Sequence, residues 1–238
     1  MASKGIVTFS LDEWIKTVRV RRTLVQMMRD RGFKARPEDD VDASIPLEFD
    51  IKDIQAFIRR TMDRRPSQEA HFLTGLGGIF ERPKLSGDGV ERWAVIFTKH
   101  PEGKQVGVSE VRPFLAFLTE NEVDGGILIA TTQMTPRGRD DFDSHKLHQI
   151  QFFSYDQLVI NITHHVFVPK YVHIRDPATI KRILESRRLK ANKMPQLPRE
   201  DPIARYFGAK SGDLFVETAD IRYVPQIVTK ATTLRSVP

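Results

Sequence analysis

Apolar residues recur at three- to four-residue steps from Trp14 to Met28, through Val18, Leu24 and Val25, with one long step between 18 and 24. That is the helical period, and both ends carry helix signals. Ser10 followed by Glu13 is a capping-box pattern, and Gly32 after Asp30-Arg31 is a stop. The spacing predicts a helix over 11–31, with Lys16, Arg19, Arg21, Arg22 and Arg29 forming a basic outer face. Residues 37–46, acidic and bracketed by Pro37 and Pro46, read as a loop. A second helix over 50–62 would gather Ile51, Ile54, Phe57 and Ile58 on one side.

The pattern weakens over 63–90, where glycine, proline and charge predict a flexible connection. Thr74-Gly75-Leu76-Gly77-Gly78 lacks the Gly-Lys-Ser/Thr of a phosphate loop, so nucleotide binding is not expected there. Order returns at 93–98, where Trp93-Ala94-Val95-Ile96-Phe97-Thr98 has the aliphatic and aromatic content of a strand. After Val106-Gly107-Val108 a helix is expected, with Ser109 as N-cap and a buried stripe of Val111, Phe114, Leu115 and Leu118. Gly125-Gly126 then leads into Ile127-Leu128-Ile129-Ala130, apolar on both faces and therefore a buried, parallel strand. Strand, helix, strand in that order is a βαβ unit. Ile150, Phe152 and Tyr155 mark one more strand and its exit.

Residues 158–174 hold two short apolar runs separated by Asn161, Thr163, His164 and His165, with Pro169 inside the second. Asp176-Pro177 is a cap-and-proline helix start, followed by Ile180, Ile183 and Leu184 at helical spacing. Asp201-Pro202 repeats that signature for a short helix stopped at Gly208. Leu214-Phe215-Val216 and 221–223 are candidate closing strands.

Charge sharpens this picture. The 238 residues carry a net charge of +6, yet residues 170–199 alone hold nine Lys/Arg against two acids. The basic surplus is concentrated there, a face suited to an acidic protein surface or to nucleic acid. There is no cysteine, which rules out disulfides and cysteine-based zinc sites. His164, His165 and His173 invite a metal reading, but neighbours in extended chain point to opposite faces and no carboxylate lies among them. No metal or cofactor is expected. No apolar run approaches the ~18–20 residues of a membrane span, and the first residues read as neither a secretory nor a transit leader.

Ordered phrases along the chain resemble the fifth-largest subunit shared by the eukaryotic nuclear RNA polymerases I, II and III. They are the 24–33 run LVQMMRDRGF, the Val106-Gly107-Val108 and Gly126-Ile127 steps, Asn161-Ile162-Thr163-His164-His165 through Val168-Pro169-Lys170, and Leu197-Pro198-Arg199-Glu200-Asp201-Pro202 through Gly208. The later phrases are also similar to the small archaeal RNA polymerase subunit that corresponds to this family's C-terminal domain. The resemblance implies an α/β chain, α+β overall, in two parts. Residues 1–157 would form a restriction-endonuclease-like jaw with a small mixed sheet and helices; residues 158–238 would form a small two-layer α/β assembly domain.

It further implies a non-catalytic nuclear subunit that docks on the largest polymerase subunit, meets other subunits and is not a homo-oligomer. A nucleolar location would follow if it serves polymerase I. The assembly contact would use His164, His165, Val168, Pro169, Lys170, His173, Arg199, Asp201, Pro202, Arg222 and Tyr223. Thr135-Pro136, leaving the buried strand as a loop, would lie near downstream duplex, where Arg137 and Arg139 offer bidentate phosphate reach. At the C-terminus the resemblance departs: Val224-Pro225 stands where a second Tyr-Arg is expected. The residues to Pro238 then read as an extra tail, pointing to a divergent or polymerase-specific paralogue. The competing reading is a metal-dependent nuclease built on Asp88 and Glu102-Gly103-Lys104.

Overall fold

The computed structural model describes residues 10–35, 76–99, 104–145, 149–190, 193–224 and 227–238; for 219–224 and 227–232 it describes the backbone alone. The expected acidic loop at 37–46 and helix at 50–62 lie outside these residues, as does Glu102. The chain divides into two units, Met1–Ile160 and Asn161–Pro238. Both are mixed α/β.

In the first unit, helix α1 (Leu11–Asp30) starts as its sequence predicts: Ser10 Oγ accepts the Glu13 N–H, and the Glu13 carboxylate accepts the Ser10 N–H at 2.7 Å. Its end is a Schellman turn. Gly32 takes φ +83°, its N–H donates to the Arg29 carbonyl, and the Phe33 N–H donates to that of Met28. The expected basic outer face needs one correction. Arg21 is 1% exposed and donates to the Leu76 carbonyl. It lies four residues from Thr17 and three from Leu24, so it continues the buried stripe across the long step between Val18 and Leu24.

Five strands follow in the order β1-β2-β3-β4-β5: β1 (Lys34–Ala35), β2 (Gly78–Pro83), β3 (Val90–Thr98), β4 (Gly125–Ala130) and β5 (Gln149–Ser154). β1, β2 and β3 are antiparallel; β3, β4 and β5 are parallel. β2 overturns the expectation of a flexible 63–90 for its second half. Its pattern hid it, because only Phe80 is buried and Glu81, Arg82 and Pro83 read as loop. Pairing supplies what propensity lacks. Glu81 stands opposite Arg92 and Arg82 opposite Glu91, with ion pairs of 3.1 Å and 2.7 Å, the favourable cross-strand arrangement. Arg82 also donates to the Arg31 carbonyl at 2.8 Å and lies 4.1 Å above the Phe33 ring, tying the strand to the end of α1. Gly77 lets this edge close up: a Cβ there would sit 2.0 Å from the Val95 carbonyl oxygen.

Helix α2 (Val108–Glu120) links β3 to β4 and completes the βαβ unit. Its N-cap is Gly107 rather than Ser109. The Glu110 carboxylate takes the Gly107 N–H at 2.8 Å and the Ser109 hydroxyl at 2.8 Å, so the serine serves inside the first turn. Helix α3 (Pro136–Ser144) precedes β5, and α4 (Tyr155–Leu158) follows it. Strand alternation then sorts the core. Ala94, Ile96, Leu128, Ala130 and Phe152 pack with Val111, Phe114 and Leu118 of α2 and Phe142 of α3. From the other face Trp93 meets Phe33 and Arg31, and Gln151 accepts from Arg31 at 2.7 Å.

The second unit has β6 (Lys170–Ile174), α5 (Pro177–Ser186), α6 (Pro202–Phe207), β7 (Leu214–Val224) and β8 (Ile227–Ser236). Its antiparallel sheet runs β6-β7-β8. The two closing strands expected at 214–216 and 221–223 are one strand. The residues read as an extra tail are β8, which pairs with β7 from Val224↔Ile227 to Leu214↔Ser236. Pro225, which the sequence reading took as a break, lies outside the described residues. Ile180, Ile183 and Leu184 of α5 pack with Ile174, Leu214, Val216 and Leu234 on one face. Phe207 of α6 meets Phe215 and His173 on the other.

Gly77→Ala is expected to cost about 1–3 kcal/mol, because the obstacle is backbone and cannot rotate away; urea unfolding monitored by Trp fluorescence measures it. Glu13 titrates below its ordinary 4.5, chiefly through the Ser10 N–H, against an opposing desolvation contribution and with further help from Lys99. A carboxyl depressed in the folded state contributes fully above its unfolded value and loses that contribution as pH falls through the folded one. Glu13→Gln should therefore flatten the fall in melting temperature below pH 4.5 relative to the parent chain.

Candidate functional site

Two surfaces gather the residues singled out by sequence, one in each unit. In the first unit, parallel β3, β4 and β5 end on the same side of the sheet, where α/β folds place their contacts. Thr135 and Pro136 sit there, not in a loop but as N-cap and first residue of α3. Thr135 Oγ1 accepts the Gly138 N–H at 3.1 Å, and the Thr135 N–H donates to Val106 at 2.9 Å. This pins the helix start to the segment before α2. Gly138 is buried, which turns Arg137 and Arg139 outward; both are exposed.

The charge order along α3 is the reverse of what a helix prefers. Arg137 and Arg139 occupy the positive N-terminal end, while Asp140, Asp141 and Asp143 follow toward the negative end. Like-signed placement of this kind is unfavourable by roughly 0.3–1 kcal/mol per charge. Asp141 recovers part through Arg112, 3.4 Å away and largely exposed. Local stability does not account for the two arginines.

The nuclease constellation does not come together. Asp88 lies in the turn before β3, and Lys104 follows the far end of that strand, its carbonyl accepting from Thr132 beyond β4. The nine residues of β3 separate them, about 30 Å at ~3.3 Å per residue. A shared metal needs both within a few ångströms.

In the second unit the 158–174 stretch opens into a surface. Asn161 caps a 3₁₀ turn (Ile162–His164), accepting from the Thr163 N–H at 3.0 Å, and donates to the Tyr206 hydroxyl at 3.2 Å. Anchored there, the chain sends His164 and His165 outward. The His165 ring lies 5.7 Å from that of Phe167. Val166 and Phe167 are 86% and 87% exposed, and Val172 on β6 is 58% exposed. β6 is an edge of its sheet. Val168 and Pro169 are half-buried and Lys170 is exposed.

His173 is different. Its Nε2 lies 2.8 Å from Asp213 Oδ2, its ring stacks on Phe215 at 4.7 Å, and its side chain is 6% exposed. Its polar group is satisfied within the unit, so it works inside the sheet packing and not at the exposed surface. Asp201 is likewise inward-working: its carboxylate takes the Ile203 N–H at 2.8 Å to cap α6, with Pro202 in the first turn. Arg199 is exposed beside them. Arg222 and Tyr223 fall on β7, where only backbone is described. The apolar runs of 158–174 are where the sequence reading puts the contact, but it did not single out Val166, Phe167 and Val172, the exposed apolar residues among them. The signal was present: two large apolar residues precede Pro169 with no periodic partner.

The model of the family described as RNA polymerase Rpb5, C-terminal domain, matches residues 160–237. The match takes in β8, so the residues after Val224 belong to the family's domain and are not an appendage. The chain is 30% identical over 205 residues to "DNA-directed RNA polymerase subunit 5-like protein 1" of Arabidopsis thaliana, covering 85% of this chain and 88% of that one. It is 27% identical over 216 residues to "DNA-directed RNA polymerases I, II, and III subunit RPABC1" of Caenorhabditis elegans, covering 90% of each. Among solved structures, the restriction endonuclease AspBHI, described as DNA modification-dependent, overlaps 67% of this chain and 39% of its own at 15% identity and a TM-score of 0.31. An overlap that loose establishes no common chemistry.

Phe167→Ser should change the unfolding free energy by less than about 0.5 kcal/mol, as for a surface site. His173→Ala should cost about 2–3 kcal/mol, since it empties a packed position and leaves Asp213 without its ring partner. Paired urea titrations of the two variants test the contrast.

Proposed function

The chain belongs to the Rpb5 family of DNA-directed RNA polymerase subunits, and from that premise we propose how each unit serves the enzyme. Residues 158–238 are an assembly domain that docks on the largest subunit; residues 1–157 are a jaw beside the incoming duplex. The protein acts in the nucleus, with no active site of its own. One observation carries the docking assignment: Val166, Phe167 and Val172, large apolar residues within seven positions of the chain, are exposed, the last on the edge strand of its sheet. A monomer gains nothing from large exposed apolar groups in one place, and such patches mark protein contacts. An edge strand adds unpaired N–H and C=O groups ready for another chain. His164, His165 and Lys170 supply a polar rim, and His173, Asp201 and Pro202 hold the packing within the unit.

The jaw assignment rests on the reversed charge order of α3. Arg137 and Arg139 stand where a helix N-terminus already favours anions, so helix and side chains together would track phosphates without reading bases. The firm start given by Thr135 and Pro136 fixes where they point.

Tagged full-length chain expressed in cells tests both parts. Phe167→Ser with Val172→Glu should sharply reduce recovery of the largest polymerase subunit while leaving the chain folded; equal recovery from both chains would sink the docking assignment. Polymerase assembled with Arg137→Ala and Arg139→Ala should bind duplex with a salt slope lower by about 2, one unit per lost phosphate contact. An unchanged slope overturns the DNA-facing role.

A further inference from the structure

The helix face of the second unit carries a feature that neither proposed surface uses. Along α5, an open groove of about 640 Å³ runs between the helix, the chain that leaves it, and the turn at Gly212. Its apolar lining comes from Ile180, Leu184 and Leu189. Lys181, Arg188 and Lys190 stand around it and are exposed. Of the two acids that also line it, Asp213 faces His173 and accepts the Lys210 N–H at 2.9 Å, while Glu185, 3.9 Å from exposed Lys181, offsets one rim cation and leaves the others in surplus. The groove therefore offers an apolar lining under a positive rim.

The way α5 ends adds a second observation. Its last turn is a Schellman motif built like that of α1: the Arg188 N–H donates to Glu185 and the Leu189 N–H to Leu184. In α1 the left-handed position is Gly32; in α5 it is Arg188, at φ +50°. A side chain there is strained, and glycine is the residue that relieves it. Strain alone marks no site, since Glu122 ends α2 with a similar φ of +49°. Here the strained residue places a guanidinium at the groove, next to the Leu184–Leu189 turn that forms its lining. Strain retained at such a place is a pointer to use.

We propose that this groove binds an acidic peptide segment of another protein, seating an aliphatic or aromatic side chain on Leu184 and Leu189 while Asp and Glu residues flank it opposite Lys181, Arg188 and Lys190. Charge complementarity selects the acidic partner, and the lining selects a peptide over nucleic acid. Bases need aromatic platforms to stack on, and the groove has none. The site rests on different residues from the apolar edge at Val166, Phe167 and Val172, so losing one leaves the other intact.

The test uses full-length protein and three labelled probes read by fluorescence anisotropy. These are a short peptide alternating Asp-Glu with Leu-Phe, the same peptide with Lys-Arg replacing Asp-Glu, and a single-stranded oligonucleotide. The acidic peptide should bind and the basic one should not. Leu189→Ser and Lys181→Glu should each weaken binding about fivefold or more, the scale of one lost contact. Arg188→Gly should weaken binding by a similar factor while raising the melting temperature, a combination that a merely structural arginine would not give. The inference is overturned if the three variants bind the acidic peptide as the parent does, or if both peptides bind equally. It is also overturned if the oligonucleotide binds with the same dependence on Leu189 and Arg188, which would make the groove a nucleic-acid face.

Discussion

The first unit depends on the burial of β4 on both faces. All six residues from Gly125 to Ala130 are buried, and the strand is bonded in parallel to β3 on one side and β5 on the other. A strand without a solvent face has no freedom of register, since a one-residue slip would exchange its two packed faces. Parallel pairing then demands crossovers, and α2 and α3 supply them, covering the face of Ala94, Leu128 and Phe152. The N-terminus of α3 is fixed at the carboxyl ends of the strands as a consequence. Where Arg137 and Arg139 stand is thus decided by the sheet, not by the helix that carries them.

Elements whose residues satisfied their own local rules were legible in the sequence. α1 announced both ends through Ser10, Glu13 and Gly32; β4 announced itself by being apolar throughout; α5 and α6 began at their Asp-Pro pairs. Elements that depend on a partner were not. β2 is held by Glu81 and Arg82 lying opposite Arg92 and Glu91, information stored in another strand. β8 read as a tail because Pro225 argued against a continuing ladder, yet the strand pairs with β7 from Ile227 onward. Arg21 was misplaced because residue type was weighed above position: spacing put it on the buried stripe. At the candidate surfaces, Asp201 and His173 were named through the resemblance; the capping role of Asp201 was legible from its Asp-Pro signature, but sequence did not say that His173 turns to Asp213. The exposure of Phe167 was hinted at only by the absence of a periodic apolar partner before Pro169.

Three arginines stand against local helix-end preference. Arg137 and Arg139 load the positive end of α3 with further positive charge, and Arg188 occupies a left-handed backbone that suits glycine. Elsewhere the chain mostly observes these rules: α1 carries Asp12 and Glu13 in its first turn, and Gly32 and Gly208 take the left-handed ends of α1 and α6, although Glu122 ends α2 at φ +49°. A sequence that is locally consistent almost everywhere concentrates its exceptions where folding is not the only demand. The three arginines are exposed cations, the group that phosphates and acidic peptides require; Glu122 shows that a left-handed helix end by itself carries no such meaning.

The second unit makes the corresponding case with apolar groups. Its sheet is already covered on both faces, by α5 against Leu214 and Leu234 and by α6 against Phe215. Val166 and Phe167 are therefore not a core left incomplete for want of a helix. They are carried outward by a segment that is itself well anchored, with Asn161 capping its first turn and bonded to Tyr206. An ordered segment that displays a phenylalanine at 87% exposure forgoes roughly 1.5–3 kcal/mol of burial in the free chain. That loss is recovered only when another surface covers the ring. A subunit of a larger enzyme meets this condition, because its native environment includes its neighbours; a free-standing monomer does not.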